Sequence, residues 1–416
     1  MRFAVAAHGT RGDIEPCTAV GLELRRRGHE VRLAVPPNLV GFAQQAIGPV
    51  PVVSYGVDSQ KQLEEATFRN FWKFQNPARA LREGREYMVA GWAEMSRSLT
   101  SIADGADLIL TGTTFQEVSA NVAEHYGVPL AALHFFPHRA NSHVLPLKVP
   151  PSLYGPGFAA VEWAYWRILK DAEDAQRREL GLPKADTPSV RRIIEGGALE
   201  IQAYDEALFP GLASQWGERR PFVGALTLEL GTVDDDEMTE WIAEGKPPIY
   251  FGFGSMPVES PESALDMITE VCADLGERAL ISSGSWQLDR PTPSADIKVV
   301  GAVNHARVFP QCRAVVHHGG AGTLAAGLRA GRPTLVLWVG ADQPIWAAQV
   351  KRLGVGTARR FSKTGPTSLK AALQATLSPQ AAVRAEALAT QMTAPSEGVR
   401  KAADLLEDAA RRRGVR

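Results

Sequence analysis

Two periods of apolar residues take turns along this chain. RFAVAAH, near the start, is a continuous apolar run too short for a helix, and it predicts a buried strand. The polar loop GTRGDIE follows. Pro16 then suits a first helical turn, Val20 and Leu24 fall on one helical face, and Gly28 ends the segment after Arg27. EVRLAV is the next strand. Further on, DLILTG and PLAALHFF predict parallel strands joined by a helix over residues 118–125. The second half repeats the plan. PPIYFGFGS, RALISSG, IKVVGA, RAVVHHGG and PTLVLWVG are apolar strands, with helices between them over residues 264–275 and 322–330. Strands alternating with helices predict an α/β fold with parallel sheets.

A stretch rich in proline, glycine and charge, residues 210–248, separates the halves. It places a boundary near Asp234: one domain over 1–209, a linker over 210–233 and a second domain over 234–416. A length of 416 residues agrees, because domains run to roughly 200 residues each. The net charge of −1 gives no reason to expect nucleic acid. Cys17, Cys272 and Cys312 are scattered without metal-ligand spacing, which fits a reducing, cytoplasmic setting. MRFAVAAHG is too short for a signal peptide, and no apolar run approaches the ~20 residues that span a bilayer. The basic tail RRRGVR is a solvated end or a weak attraction to anionic lipid heads.

Ligands of open parallel sheets sit beyond the carboxyl ends of the strands. The distinctive loops all fall there: HGTRGD, GFGSM, SSGSW, AVNH, HHGGAGT and VGADQP. HHGGAGT joins a strand to a helix. Free N–H groups at a helix start attract anions, and glycines let a phosphate approach the backbone. The alternative is a tight turn around a buried histidine. Neither a Walker loop nor a dinucleotide fingerprint is present.

With GTRGDIEP, GFGSM, HHGGAGT and GADQP in order over residues 9–344, the chain resembles the family 1 inverting nucleotide-sugar glycosyltransferases, and most of all bacterial members that decorate antibiotics, glycopeptidolipids and sterols. The resemblance implies the GT-B fold: two facing Rossmann-like domains with a cleft between them, the acceptor on the first and the donor on the second. The last helix is expected to pack back on the first domain.

By the same resemblance, His318 and the amides of Gly320, Ala321, Gly322 and Thr323 hold the donor diphosphate, with Ser255 and Arg11 adding to it and His317 supporting the loop. Ser255 also suits a helix N-cap. Asp342 and Gln343 read sugar hydroxyls, or cap the loop before Pro344. Val303, His305 and Trp286 surround the base. Plant members stack a tryptophan where this chain has Val300, and contact the ribose through a glutamate where it has Ala326, a hint of a dTDP-sugar over a UDP-sugar. Asp13, aligned with the family's catalytic histidine, is the general base, or an N-cap for a helix starting near Pro16. His8 fits a strand-end histidine in the acceptor pocket.

The acceptor is expected to be a lipophilic small molecule or lipid: a glycopeptidolipid, sterol, polyketide or peptide product. Residues 68–74 and 153–169, with Trp163 and Trp166 on one helix face, are core or a greasy acceptor groove. No cofactor beyond the donor, no metal and no nucleic acid are expected, and peripheral membrane association fits the tail. Asp234 and Asp236 form an Asp-x-Asp pair of the kind that holds Mg²⁺ in metal-dependent glycosyltransferases, or acids that favour a helix start, the reading preferred here. Two alternatives share the fold: a hydrolysing nucleotide-sugar epimerase, and a non-catalytic sugar-nucleotide-binding protein.

Overall fold

The computed structural model describes residues 1–65, 84–142, 144, 154–228, 235–254, 260–284 and 294–412. The chain forms two compact units, Met1–Leu228 with Thr393–Arg416, and Glu229–Met392. Residues 210–228, which read as linker, lie in the first unit, and so does the Pro395–Arg411 helix.

The first unit carries a six-stranded parallel sheet of β1 (Arg2–Ala6), β2 (Glu30–Val35), β3 (Val52–Ser54), β4 (Leu108–Thr111), β5 (Leu130–His134) and β6 (Leu199–Gln202), in the order β3-β2-β1-β4-β5-β6. The second carries β7 (Ile249–Gly252), β8 (Ala279–Ser282), β9 (Ile297–Val300), β10 (Ala314–His317), β11 (Thr334–Trp338) and β12 (Gly356–Arg360), in the order β12-β11-β10-β7-β8-β9. Counted within each unit, both orders are 3-2-1-4-5-6, the doubly wound arrangement. Its ligand crevice opens where the strand order reverses: at β1 and β4 in one unit, and at β7 and β10 in the other.

Alternation along β1 explains the layers. Phe3 and Val5 face a cluster with Val20, Leu24, Leu110 and Leu133. Ala4 and Ala6 face the opposite cluster with Leu99, Ile109, Val118 and Val122. Burial on both faces is why these strands read as unbroken apolar runs. In the second unit, Ile249, Phe251, Val316 and Leu335 face one side, and Tyr250, Leu280 and Val315 the other.

The last helix completes the first unit. Ala402, Ala403, Leu406 and Ala410 join its core. Arg27 Nη1 donates to Asp404 at 2.6 Å, and His29 Nε2 lies 2.8 Å from Glu407. Thr393 N–H donates to Asp205 at 2.6 Å.

The first helix runs over Arg11–Arg26, a turn and a half before the start expected near Pro16. Thr10 is its N-cap and Asp13 the third residue of a capping box, which sets the start despite the interior proline.

Candidate functional site

At the crevice of the second unit, β10 ends in His317, and the Ala321–Arg329 helix starts four residues later. His317 is fully buried and accepts the Gly319 N–H at Nδ1, 3.0 Å away. Burial, then the charges of His318 and His305, hold its pKa well below the usual histidine range. Its role is to shape the turn. Gly319 has φ +99°, and a Cβ there would meet Val336 at 2.9 Å and Gln343 at 3.1 Å. Gly320 is the N-cap, with no side-chain cap and no acid in the first turn. The N–H groups of Ala321, Gly322 and Thr323 are therefore free of intrahelical partners and sit at the positive end of the helix dipole.

His318 lies against this helix start. A Cβ on Gly320 would fall 2.6 Å from its Nε2, and one on Gly254, at the end of β7, 3.0 Å from its Cε1. Two glycines thus make room for one imidazole. Nδ1 is buried without a hydrogen-bond partner. Burial lowers the ring's pKa to about 4, with the Gly252 carbonyl acting the other way. The ring is neutral at pH 7. The structure brings together His318, Gly320, Ala321, Gly322 and Thr323, while Ser255 and Trp286 lie outside the described residues.

The loop after β11 closes beside this turn. Asp342 Oδ2 accepts from Trp346 Nε1 at 2.8 Å, and burial raises its carboxyl pKa. Gln343 is buried, and its Oε1 accepts from the amides of Val339 and Gly340 at 2.7 and 3.2 Å. The Gln343 oxygen therefore holds its own loop. Ala341, between them and Gly340, has φ +55°, a left-handed backbone rare for a residue with a Cβ.

Val303 is half-buried against the cluster of Met238, Tyr250 and Phe309. His305 opens the short His305–Val308 helix with its ring stacked on Phe309 at 4.4 Å. Ala326 packs beside the same cluster. Asp236 opens the Asp235–Ala243 helix and pairs with Arg307 at 2.6 Å; Asp234 lies outside the described residues.

At the crevice of the first unit, His8 follows β1. It is buried, its Nε2 is 3.3 Å from the Val57 carbonyl, and burial lowers its pKa to about 4. Its carbonyl accepts from Thr114 Oγ1 at 2.6 Å, which ties the loop after β1 to the loop after β4. Phe115 meets the His8 ring edge-on at 5.0 Å, with φ +55°. Asp13 Oδ2 accepts from Thr10 N–H at 2.8 Å and from Thr10 Oγ1 at 3.2 Å. Gly9 makes that possible, since a Cβ there would lie 2.3 Å from the same oxygen. Arg11 Nε donates to Glu15 at 3.2 Å, and its guanidinium covers the Phe42 ring at 4.7 Å.

Trp163 and Trp166 part company. Trp166 is buried and donates to Glu173 at 2.9 Å, whereas Trp163 is 56% exposed. Residues 68–74 lie outside the described residues. Sequence reasoning missed Thr10, Gly9 and Phe115. The T-x-x-D spacing of Thr10 and Asp13 was the available signal for the first two. Phe115 had none. Among the described residues, no three metal-ligating side chains cluster, and no helix is long and apolar enough to cross a membrane.

Residues 3–144 match the glycosyltransferase family 28 N-terminal domain, and residues 266–405 the erythromycin biosynthesis protein CIII-like C-terminal domain. An uncharacterized glycosyltransferase of Mycobacterium tuberculosis (strain ATCC 25618 / H37Rv) is 59% identical over 414 residues, covering 99% of this chain and 100% of that one. Among solved structures, the calicheamicin glycosyltransferase CalG4 superposes with a TM-score of 0.71 at 20% identity, covering 98% of each chain. The glycosyltransferase VinC, solved in complex with dTDP, does so with a TM-score of 0.68 at 18% identity, covering 99% of this chain and 100% of that one. With both halves matched and a full-length relative this close, the chain belongs to the family 1 nucleotide-sugar glycosyltransferases of GT-B fold.

Proposed function

We propose that this glycosyltransferase moves a sugar, with inversion, from a dTDP- or UDP-sugar to a hydroxyl of a lipophilic acceptor. The observation that carries the reading is the bare start of the Ala321–Arg329 helix beside a neutral His318 whose Nδ1 is unpartnered. A leaving diphosphate gains negative charge as its bond to the anomeric carbon breaks. Helix amides and an imidazole N–H, fixed before the reaction, stabilise that charge where it develops. Ser255 and Arg11 add donors to the same phosphates, and Trp286, Val303 and His305 surround the base.

On the acceptor side, Asp13 takes the hydroxyl proton as its oxygen bonds to the anomeric carbon. An aspartate is a weak base, with a reference pKa of about 3.9. It serves late, once the attacking oxygen has become acidic through bonding to carbon. Asp342 reads sugar hydroxyls with the oxygen that Trp346 leaves unused, and Gln343 holds the loop that carries it. VinC was solved with dTDP, which supports a thymidine donor, as does the alanine at position 326.

Calorimetric titration with dTDP and UDP, followed by turnover of their sugar conjugates with and without an aglycone, tests the reading. Binding of either nucleotide and aglycone-dependent release of it are expected. Release that needs no aglycone would point to the hydrolysing epimerase, and the absence of any turnover to an accessory protein.

A further inference from the structure

The carboxyl end of the second sheet carries a cation that the donor and base assignments leave unused. Trp338 is the last residue of β11 and Arg360 the last of β12, and the two are register partners on adjacent parallel strands. Both are half-buried. The Arg360 guanidinium lies over the Trp338 ring, 5.6 Å from its centroid. Its nitrogens make no hydrogen bond or ion pair among the described residues. Arg359, beside it, donates from Nη2 to the Lys363 carbonyl at 3.2 Å, and its Nε is buried without a partner. Lys363 is exposed. Residues 343–385 contain no Asp or Glu to neutralise these three cations.

The cluster neighbours the open helix start. β12 lies two strands from β10, about 10 Å across the sheet. From Trp338 the chain runs directly into the loop of Asp342 and Gln343. On the other side, the Phe361 ring meets Phe253 at 5.4 Å, and Gly254, next in the chain, is where a Cβ would fall 3.0 Å from His318 Cε1. Ligands of parallel sheets lie beyond the carboxyl ends of the strands, where Trp338 and Arg360 both sit.

The way Arg360 is held decides the chemistry. A guanidinium that rests by its face on an aromatic ring keeps its N–H edge free, and that planar fork matches a carboxylate with two parallel hydrogen bonds. A neutral hydroxyl would leave the charge uncompensated, and Arg359, Arg360 and Lys363 together would repel a cation. Asp342, the nearest acid in the sequence, does not fill the place, because its Oδ2 is turned to Trp346 Nε1 at 2.8 Å.

We propose that Arg360, seated on Trp338, binds a carboxylate of the substrate beside the diphosphate site, with Arg359 and Lys363 adding positive potential. The proposal rests on the glycosyltransferase reading above and adds a charge to its substrate: the transferred sugar or the acceptor is an acid.

Saturation-transfer NMR on the full chain, with dTDP and UDP both present, provides the test. The probes are D-glucuronate against D-glucose, and hexanoate against 1-hexanol. At least one carboxylate should bind about tenfold more tightly than its neutral counterpart, the size of a hydrogen bond to a charged group. Preference for glucuronate assigns the carboxylate to the sugar, and preference for hexanoate assigns it to the acceptor. Arg360→Gln should abolish the preference, and Arg360→Lys, which keeps the charge without the fork, should retain part of it. Both variants should melt as the wild type does. If neither carboxylate is preferred, the anion site fails, and binding of dTDP or UDP in the same sample leaves the donor reading standing. If a carboxylate is preferred and neither nucleotide binds, the donor reading fails and the site stands. A preference that survives Arg360→Gln also overturns the proposal.

Discussion

The two crevices use one local plan and put it to opposite use. In each unit a strand runs into a buried histidine, a glycine with positive φ and the start of a helix: His8, Gly9 and the Arg11–Arg26 helix in one, His317, Gly319 and the Ala321–Arg329 helix in the other. The first helix start is filled from within, because Thr10 and the Asp13 carboxylate close a capping box over it. The second is left open, with glycine at the cap and no acid in its first turn. A carboxylate held at a helix start is a fixed anion. An empty helix start is a site for someone else's anion. In both loops a missing Cβ decides the geometry: Gly9 clears the Asp13 oxygen, and Gly254 with Gly320 clears the His318 ring.

Breaking the filled end should have the largest effect. Asp13→Asn should slow transfer by about 10²-fold or more, the size of a lost positioned base, with dTDP affinity unchanged. Gly9→Ala should do nearly as much without replacing the carboxylate, because its Cβ would lie 2.3 Å from Asp13 Oδ2 and displace it. Steady-state turnover alongside nucleotide calorimetry checks both. Near-normal turnover in Asp13→Asn would leave that residue as a cap only.

Much of this contrast can be read from HGTRGD and HHGGAGT, but the helix start could not be read from the apolar pattern. The first turn of the Arg11–Arg26 helix is polar, so its periodicity begins only at Ile14, and Pro16 draws the eye as a start. The strands missing from the sequence reading are β3, β6 and β12, all at sheet edges. β3 and β12 lack the burial that writes a continuous apolar run, and GTARR, at β12, is half-buried throughout except at Ala358; β6 is buried but carries Glu200 and Gln202, which interrupt its run. The Gln343 side-chain oxygen, in a residue expected to read a sugar, accepts from the Val339 and Gly340 amides of its own loop, a turn contact that apolar periodicity does not register.

Breaking the open end should come next in size. His318→Ala should weaken nucleoside diphosphate binding by about ten- to a hundredfold, as for a hydrogen bond to a charged group, and leave the free nucleoside almost unaffected. Asp342→Ala should spare the nucleoside diphosphate and weaken productive use of the whole donor. Titrating both variants with dTDP, UDP and their sugar conjugates separates the roles. Wild-type affinity for the diphosphates in His318→Ala would reduce the loop to a turn.

The neutral histidines sharpen the comparison through pH. His8 and His318 have folded pKa values of about 4, below the unfolded value of about 6.5. Unfolding therefore takes up protons as the pH falls. The stability these residues contribute is intact above pH 6.5 and declines toward pH 4. Melting temperature should drop over that window, and His318→Ala should drop less between pH 7 and pH 5 than the wild type does. An equal drop would mean that His318 is solvated and not held neutral by its site.

Chelation should have the smallest effect, namely none. A metal-dependent glycosyltransferase holds Mg²⁺ on the diphosphate through paired carboxylates. The acidic candidate here is the run Asp234 to Asp236, and Asp236 is committed to Arg307 at 2.6 Å at the start of the Asp235–Ala243 helix. That exposed pair is worth little energetically, but it turns the carboxylate to a guanidinium on its own unit. The open helix start offers positive potential to an anion without an ion of its own. Turnover in EDTA should equal turnover in Mg²⁺, and Asp236→Asn should leave both unchanged. Activity lost to EDTA and restored by Mg²⁺ would make the phosphate site incomplete without a cation, and the contrast between a filled and an open helix end would no longer account for the donor side.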